Sequence, residues 1–325
     1  WQLKTWEAYR DVPRLGRKTR IGGNQREILW AIFEHFRGAL SERKLVTWAD
    51  VFGRLTDQLR DGTSPYLFVV VDEAQDLGVA EARFLAALAD GRPDGLFLAG
   101  DLGQRIFQQP FSLRALGIDI RGRSFTLRVN YRTSHQIRAQ ADRLLPATVS
   151  DVDGNTEGRR GTVSVFDGPA PLVRTFASGD EEREAVGAWI RDQIAAGRPP
   201  HEIGVFVRSA AELARARAAI KASGASAAEL SERNGPASGS VAFGTMHLAK
   251  GLEFRSVAVM ACDDEVIPLQ SRIEAISDPS DLEEVYDTER HLLYVAVTRA
   301  RDHLLVTGVD PASEFLEDLS NTNIS

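Results

Sequence analysis

The sequence predicts an α/β protein built around parallel β-sheet, and three observations support this prediction. Short apolar runs bounded by turn residues, such as Tyr66–Val71 and Leu96–Ala99, are typical of strands that are buried on both faces. Helical patterns alternate with these runs along most of the chain, as in sheets whose strands are joined by crossover helices. Hydrophobic residues make up 43% and charged residues 26% of the sequence, as in an ordinary folded protein.

Composition narrows the class of protein further. The 325 residues suggest about two domains. No apolar run approaches the roughly 18 residues that cross a bilayer, so we expect no membrane association. The single cysteine, Cys262, excludes a disulfide framework and a cysteine-rich zinc site, and it favours a cytoplasmic location. The net charge of −7 excludes a protein that is basic over its whole surface.

Residues 1–60 have a helical pattern, with a basic stretch over residues 10–20. That stretch is either a solvated connector or a surface that faces phosphate. The apolar side chains that recur at helical spacing are Ile28, Leu29, Ile32, Phe33 and Phe36.

Strands and helices continue to alternate along the rest of the chain. Besides the two runs above, the predicted strands are 124–129, 162–166, 203–207, 241–244, 257–261 and 303–307. The predicted helices are 80–89, 134–145, 181–196, 210–222 and 288–300. The segment 223–240 is rich in Ser, Gly and Ala, so we predict a loop or linker there.

Acidic residues follow the first predicted strand directly, in the run Asp72-Glu73-Ala74-Gln75-Asp76. Ligands of open parallel sheets bind beyond the carboxyl ends of the strands. An acid at this position is suited to hold Mg²⁺ on a nucleotide, and its neighbour is suited to activate the attacking water. The alternative is a solvated turn at the end of a strand.

The second strand leads into a similar run, Gly100-Asp101-Leu102-Gly103-Gln104, which is followed by Arg105-Ile106-Phe107. Gln104 is placed to sense the γ-phosphate and to bridge to the other acids. Phe107 either stacks on a nucleic-acid base or belongs to the hydrophobic core.

Five sequence motifs, in order, resemble those of the UvrD/Rep-type superfamily 1 helicases. The runs 72–76 and 100–104 resemble motifs II and III, and Val129-Asn130-Tyr131-Arg132-Thr133-Ser134 resembles motif IV. Residues 244–254 resemble motif V, and residues 289–300 resemble motif VI. The resemblance implies two RecA-like parallel-sheet domains of the P-loop NTPase type, with ATP between them, Mg²⁺ as a second cofactor, and single-stranded or partly duplex DNA as the partner.

The resemblance also implies roles for individual residues. Asp72 would bind Mg²⁺ and Glu73 would be the general base, with Gln104 beside them. Arg132 and Arg299 would neutralise charge on the transferred phosphoryl group. Without the surrounding motifs, each arginine would be interpreted as one half of a surface ion pair.

Further contacts with nucleotide and DNA are implied in the same way. Glu253 resembles the ribose-binding acid of the family, and Gly251 lets the backbone approach closely. The implied nucleotide contacts are Gln75, Gly251 and Glu253, and the implied DNA contacts are Phe107, Thr245 and His247.

The sequence departs from the family in lacking the Gly-x-x-x-x-Gly-Lys-Ser/Thr loop that cradles a triphosphate. Residues 1–60 resemble the helical insertion of the first domain, and 61–122 its C-terminal part, so we expect an incomplete first domain. Residues 123–325 would form the second domain, in which a short linker near 223–240 replaces the accessory subdomain. We expect this chain alone to hydrolyse ATP poorly or not at all.

The sequence thus predicts the motor core of an ATP-dependent DNA helicase, moving 3′ to 5′ as the resemblance implies. The alternative is a non-catalytic module that binds DNA or a protein partner. A nuclease would need further metal-binding acids, and the run Asp263-Asp264-Glu265 is interpreted instead as a solvated loop. The arginines that would contact DNA phosphates or line the ATP site are Arg121, Arg123, Arg128, Arg138 and Arg143.

Overall fold

A computed structural model of the chain describes residues 3–12, 21–60, 62, 64–90, 92–107, 111–158, 161–276 and 279–320. The chain divides into two compact units. Unit 1 comprises Trp1–Phe125 and Ser150–Glu157, and unit 2 comprises Thr126–Val149 and Gly158–Ser325. Within the described ranges, no helix is both long enough and apolar enough to span a bilayer.

The helical pattern predicted for residues 1–60 is confirmed as α1 (Trp6–Asp11), α2 (Gly23–Glu42) and α3 (Trp48–Arg60). Tyr9 and Trp30 are buried, and their ring centroids lie 5.4 Å apart, which joins α1 to α2. Most of the predicted apolar stripe of α2 is exposed: Ile28, Ile32, Phe33 and Phe36. Much of the basic stretch, residues 13–20, lies outside the described residues.

Two short parallel strands of unit 1 carry the acidic motifs. Strand β1 (Val69–Val71) pairs with β2 (Leu96–Leu98), and helix α4 (Val79–Ala89) connects them. The prediction that 66–71 is a buried strand is wrong, because Phe68 and Val70 are 71% and 75% exposed. Helix α4 packs on the pair, and β1 and β2 form a sheet of two strands only, so no further described strand protects their apolar side chains.

The remaining strands run from the unit boundary to the C-terminal region. They are β3 (Val129–Asn130), β4 (Thr148–Ser150), β5 (Thr156–Gly158), β6 (Val163–Ser164), β7 (Leu172–Phe176), β8 (Ile203–Val207), β9 (Ser226–Glu229), β10 (Ser240–Thr245), β11 (Phe254–Val259) and β12 (Ala300–Val309). The helices are α5 (His135–Ala141), α6 (Gly179–Ala195), α7 (Leu213–Ser223), α8 (Gln270–Glu274), α9 (Pro279–Val297) and α10 (Phe315–Ser320).

A six-stranded parallel sheet organises unit 2, in the order β7-β12-β11-β8-β10-β9. Every residue of the central strand β8 is buried, as expected for a strand covered on both faces. The sheet and helices α6 and α7 form a hydrophobic core of Val186, Ile190, Ile203, Val205, Val207, Ala216, Ala219, Ile220, Val241, Phe243, Ala258, Met260, Ala261 and Leu305. This parallel sheet confirms the predicted α/β class, and it is consistent with a RecA-like domain.

The structure differs from the predicted elements at several further places. Residues 226–229 form an edge strand of the sheet inside the segment predicted as a linker. The helix predicted from residue 288 already begins at Pro279. The strand predicted over 124–129 is wrong except at its last residue, since the segment before β3 is exposed. An apolar run indicates a strand, but the length of that strand depends on which other strands pair with it.

Local sequence explains how the helices around the sheet begin and end. Ser178 caps α6, because its hydroxyl oxygen accepts a hydrogen bond from the backbone N of Glu181 at 3.3 Å. The Glu181 carboxylate in turn accepts a bond from the backbone N of Ala177. Helix α7 ends at Ser223 and is followed by Gly224, whose φ of 80° suits the left-handed conformation after a helix C-terminus.

Candidate functional site

A buried glutamine joins the two strand ends of unit 1. Gln75 is 8% exposed; its Nε2 donates a hydrogen bond to Glu73, and its Oε1 accepts one from the backbone N of Asp101 at 3.0 Å. The carboxyl ends of parallel strands meet at one edge of a sheet, and this side chain spans the two ends. The structure therefore brings Glu73, Gln75 and Asp101 together, while Asp72 and Glu73 remain exposed.

The backbone at these strand ends is unusual. Glu73 has φ 52° and ψ 39°, a left-handed conformation that costs a non-glycine residue on the order of 1 kcal/mol and is concentrated at functional sites. Asp72 accepts a hydrogen bond from the backbone N of Glu73 at 2.8 Å. Gly100 lies so close to Gln75 that a Cβ atom there would clash with the amide oxygen. Only glycine fits at position 100 without moving the bridge.

Gln104 is held at the same edge by Asp101. One oxygen of Asp101 accepts a bond from the backbone N of Gly103 at 2.7 Å, and the other accepts one from Gln104 Nε2 at 2.9 Å. The ring of Phe107 is 53% exposed, so the alternative that it is a core residue is wrong.

The donor set of unit 1 fits a nucleotide-bound metal rather than a protein-only metal site. Within the described ranges, no group of three or more His, Cys, Asp or Glu side chains is arranged to hold a metal ion. Mg²⁺ in nucleotide sites usually takes one or two carboxylates, with phosphate and water supplying its other ligands. The exposed carboxylate of Asp72 meets that requirement.

Three motifs converge within unit 2. The backbone N of Ser134, the last residue of motif IV, donates to the carbonyl of Arg301 at 3.0 Å. The backbone N of Phe254, in motif V, donates to the carbonyl of Arg299 at 3.0 Å. Motifs IV and V therefore both hydrogen-bond to the segment that ends motif VI.

Two predicted ligand residues form an ion pair at this junction. Arg132 Nε lies 3.3 Å from Glu253 Oε2, and both side chains are about half exposed (47% and 46%). The Asn130 side chain accepts a bond from the backbone N of Arg132 at 2.8 Å, which fixes the turn after β3. Gly251, two residues before Glu253, has a φ of 78°, which only glycine adopts freely.

Arg299 lies in a different environment from Arg132. It is 1% exposed; its Nε donates to the carbonyl of Val295 at 3.0 Å, and its Nη2 donates to Thr298 Oγ1 at 3.4 Å. In this structure the guanidinium group is directed into unit 2, and its assignment to a phosphate stays a prediction.

The two predicted DNA contacts of unit 2 lie where β10 ends. Thr245 is the last residue of β10, and His247 lies in the short 3₁₀ helix Met246–Ala249 that follows. Burial lowers the pKa of His247 below its ordinary value, and the positive charges of Arg208 and Arg272 lower it further. His247 is thus predominantly neutral at pH 7.

A buried carboxylate near His247 binds both of these arginines, and sequence reasoning missed the cluster. Glu289, in α9, accepts bonds from Arg208 Nε at 2.5 Å and Nη2 at 2.6 Å, and from Arg272 Nη1 at 2.9 Å. Glu289 is part of the motif VI run, and the sequence alone predicts no role for it. Arg208 shares with Asp72 a feature that could have identified it: each is a charged residue directly after an apolar run that predicts a strand.

The acidic run after β11 matches the predicted solvated loop at Asp264 and Glu265, which are exposed, but not at Asp263. Asp263 accepts hydrogen bonds from Arg215 Nη1 at 2.5 Å and from the backbone N of Val309 at 2.7 Å. Arg215 also binds the buried carboxylate of Glu182 at 2.6 Å. The interpretation of Asp263 as solvated is therefore wrong, because this carboxylate joins α7 to the end of β12.

The arginines predicted as a basic surface are largely paired with acids. The ion pairs are Arg121–Asp119 at 2.5 Å, Arg123–Asp94 at 2.5 Å and Arg138–Asp142 at 2.8 Å. Each partner cancels a charge that would otherwise attract phosphate, so these three arginines offer less to DNA than the sequence indicated.

Comparison with known proteins finds similarity to DNA helicases. Residues 220–310 match the family described as the UvrD-like helicase C-terminal domain. The ATP-dependent DNA helicase UvrD1 of Mycobacterium leprae is 36% identical over 93 residues, which are 25% of this chain and 11% of that protein. The ATP-dependent DNA helicase PcrA of Staphylococcus epidermidis is 39% identical over 77 residues, which are 24% of this chain and 10% of that protein.

A solved structure also resembles this chain. The C-terminal domain of a possible DNA helicase from Lactobacillus plantarum WCFS1 is 22% identical, with a TM-score of 0.39, over 59% of this chain and 95% of that structure. In the two curated relatives, the matched segment spans about a tenth of the relative's length.

Unit 2 is an α/β domain, and its residues 220–310 are similar to the UvrD-like helicase C-terminal domain. The resemblance of the chain to the UvrD/Rep-type superfamily 1 DNA helicases is confirmed.

Proposed function

We propose that this chain is part of an ATP-dependent DNA helicase of the UvrD/Rep type, which couples ATP hydrolysis to 3′-to-5′ movement on single-stranded DNA. The observation that carries the proposal is the link that Gln75 makes between Glu73 and Asp101 at the ends of β1 and β2. Such strand ends are where parallel sheets bind ligands. Relatives named as ATP-dependent DNA helicases support the activity.

The acids of unit 1 would carry out the hydrolytic step. Asp72 would hold Mg²⁺, which neutralises phosphate charge when bound, and Glu73 would orient and deprotonate the attacking water. Gln75 keeps the Glu73 carboxylate hydrogen-bonded, and Gln104 is anchored on Asp101 beside it. Catalysis of phosphoryl transfer is mostly positioning and charge stabilisation, and these contacts supply positioning.

Unit 2 would contribute the groups that recognise the rest of the nucleotide. Arg132 would bind phosphate and Glu253 the ribose, with Gly251 allowing close approach of the backbone. Their exposed ion pair contributes at most about 1 kcal/mol, so a nucleotide can displace it. Arg299 would join Arg132 at the phosphate after giving up its bonds to Val295 and Thr298.

The proposed DNA contacts are Phe107, Thr245 and His247. The exposed ring of Phe107 offers a stacking surface, and such stacking contributes about 1–3 kcal/mol per base. Thr245 and a neutral His247 would donate hydrogen bonds to the DNA backbone rather than neutralise its phosphate charge.

The test is DNA-stimulated ATP hydrolysis by the full-length product of the gene. We expect Glu73→Gln to lower turnover on the order of 100-fold or more, because general-base catalysis contributes about that much. The matched control is Asp90→Asn, an exposed acid at the end of α4, which should leave turnover unchanged.

Two outcomes would contradict the proposal. Unchanged turnover in Glu73→Gln would remove this residue from the mechanism. A wild-type protein that binds single-stranded DNA and hydrolyses no ATP would favour the alternative of a non-catalytic binding module.

A further inference from the structure

A charged cluster lies at the carboxyl edge of the parallel sheet in unit 2, the edge at which its strands end. Arg208 follows β8 directly, Arg272 lies in α8, and Glu289 lies in α9. The Glu289 carboxylate is buried and accepts three hydrogen bonds, two from Arg208 and one from Arg272. Two guanidinium groups share one carboxylate, so the cluster has a net positive charge.

The two arginines differ in their exposure to solvent. The side chain of Arg208 is 6% exposed, and its bidentate ion pair neutralises the buried charge of Glu289. The side chain of Arg272 is 38% exposed. A buried charge without a partner is strongly unfavourable, and the pairing of Glu289 with Arg208 avoids that cost. The surplus positive charge therefore belongs to Arg272, at the surface.

Arg272 lies close to the proposed DNA contacts. The 3₁₀ helix that carries His247 packs against α9 and β8. The positive charge of Arg272 is one of the causes that lower the pKa of His247, after burial and the charge of Arg208. An anion bound at this edge would meet Arg272 together with Thr245 and His247.

We propose that Arg272, held in place by Glu289, contacts a backbone phosphate of single-stranded DNA. The inference rests on the proposed DNA binding of Thr245 and His247, and it adds to them the cationic group that they lack. Glu289 is then a positioning residue, since it touches the arginine and not the strand. A long side chain that is already anchored loses less conformational entropy on binding, which favours the contact.

The experiment measures the affinity of this 325-residue chain for a labelled oligothymidylate over a series of KCl concentrations. Each phosphate that a protein neutralises contributes about 0.7 to the slope of log K against log salt for single strands. We expect Arg272→Gln to lower that slope by about 0.7 and to weaken binding on the order of threefold to tenfold at low salt. Arg272→Lys keeps the charge and should keep the wild-type slope.

The matched control is Arg255→Gln. Arg255 lies near the start of β11, at the opposite edge of the sheet. Its side chain is 42% exposed, and its Nε lies 2.9 Å from Asp302, so its exposure and its pairing distance resemble those of Arg272. We expect its replacement to leave the slope unchanged. Thermal unfolding should show that both glutamine variants are folded, since Arg208 still pairs with Glu289 when Arg272 is replaced.

Three outcomes would overturn the inference. If Arg272→Gln binds with the wild-type slope, the contact does not exist, although DNA binding by the chain stands. If Arg255→Gln lowers the slope equally, the effect is one of overall charge. If the wild-type chain binds no single-stranded DNA, the proposed DNA function fails and the inference fails with it.

Discussion

Glu182, in the first turn of α6, is a fully buried carboxylate that joins this helix to α7, to strand β12 and to the segment after β11. One oxygen accepts hydrogen bonds from the backbone N of Ala261 at 2.9 Å and from Thr307 Oγ1 at 2.7 Å. The other accepts a bond from Arg215 Nη2 at 2.6 Å. Replacing Glu182 by alanine should therefore destabilise unit 2.

The loss in free energy of unfolding can be worked out from the polar groups that lose their acceptor in Glu182→Ala. The amide of Ala261 and the hydroxyl of Thr307 would stay buried without an acceptor, at about 1–3 kcal/mol each. Arg215 would lose one acidic partner and keep Asp263. Together these terms predict a loss of about 3–5 kcal/mol, as for breaking a buried ion pair. Glu182→Gln keeps an oxygen for Ala261 and Thr307, and it should lose only about 1–2 kcal/mol.

Urea unfolding would measure this loss through a reporter in unit 2. The sequence contains five tryptophans, of which only Trp189 lies in unit 2, packed against its core. The indole NMR signal of Trp189 therefore follows this unit alone. With a urea dependence of about 2–3 kcal/mol per molar, the midpoint should fall by about 1–2 M in Glu182→Ala.

The control is Glu184→Ala on the same helix, whose side chain is 62% exposed. We expect its free energy of unfolding to change by less than about 0.5 kcal/mol. If Glu182→Ala shifts the midpoint no further than this control, the hydrogen bonds of Glu182 do not stabilise unit 2 and the reasoning is refuted.

Three other predictions can be checked on the same chain. Burial raises the pKa of the Cys262 thiol well above its usual value. Iodoacetamide should therefore label this thiol only when unit 2 unfolds, because the reactive form is the thiolate. Rapid labelling of the folded chain would contradict the burial of Cys262. Val70 and Phe97 are exposed partners on neighbouring strands and should promote self-association. The double variant Val70→Thr, Phe97→Ser should therefore lower light scattering without lowering the melting temperature. A lowered melting temperature would show that the two side chains are packed. NMR titration should give His247 a pKa below 6.5, mainly because of burial. The unfolded state then binds the proton more readily than the folded state, so unit 2 should lose stability as the pH falls below 6.5. A measured pKa of 6.5 or above would refute this prediction.

Much of unit 2 could be predicted because its local patterns and its tertiary environment agree. The strand predicted at 203–207 is strand β8, buried throughout, and helix α6 lies within about two residues of its predicted limits. The run Tyr66–Val71 has the same apolar pattern, yet most of it is exposed and only its last three residues form a strand. The two runs differ in the number of neighbouring strands and helices that cover them, which is not encoded in the run itself.

In the candidate site, too, some features could be predicted from the sequence and others could not. Residue types and their order along the chain were enough to single out Asp72, Glu73, Arg132 and Glu253, because each lies in a motif with a recognisable pattern. The side chain of Gln75 as the link between two strand ends was not predictable, because it depends on the register of β1 and β2.

The sequence by itself determined the α/β class, the order of the motifs and the resemblance to UvrD/Rep-type helicases, since these depend on local composition and spacing. Only the tertiary structure decided that Arg299 is buried, that Asp263 is an ion-pair partner, and that Glu289 holds two arginines beside His247. The physical reason is that hydrogen bonds and desolvation act between residues that are far apart in the chain. Their partners are set by how strands and helices pack, and not by their neighbours in sequence.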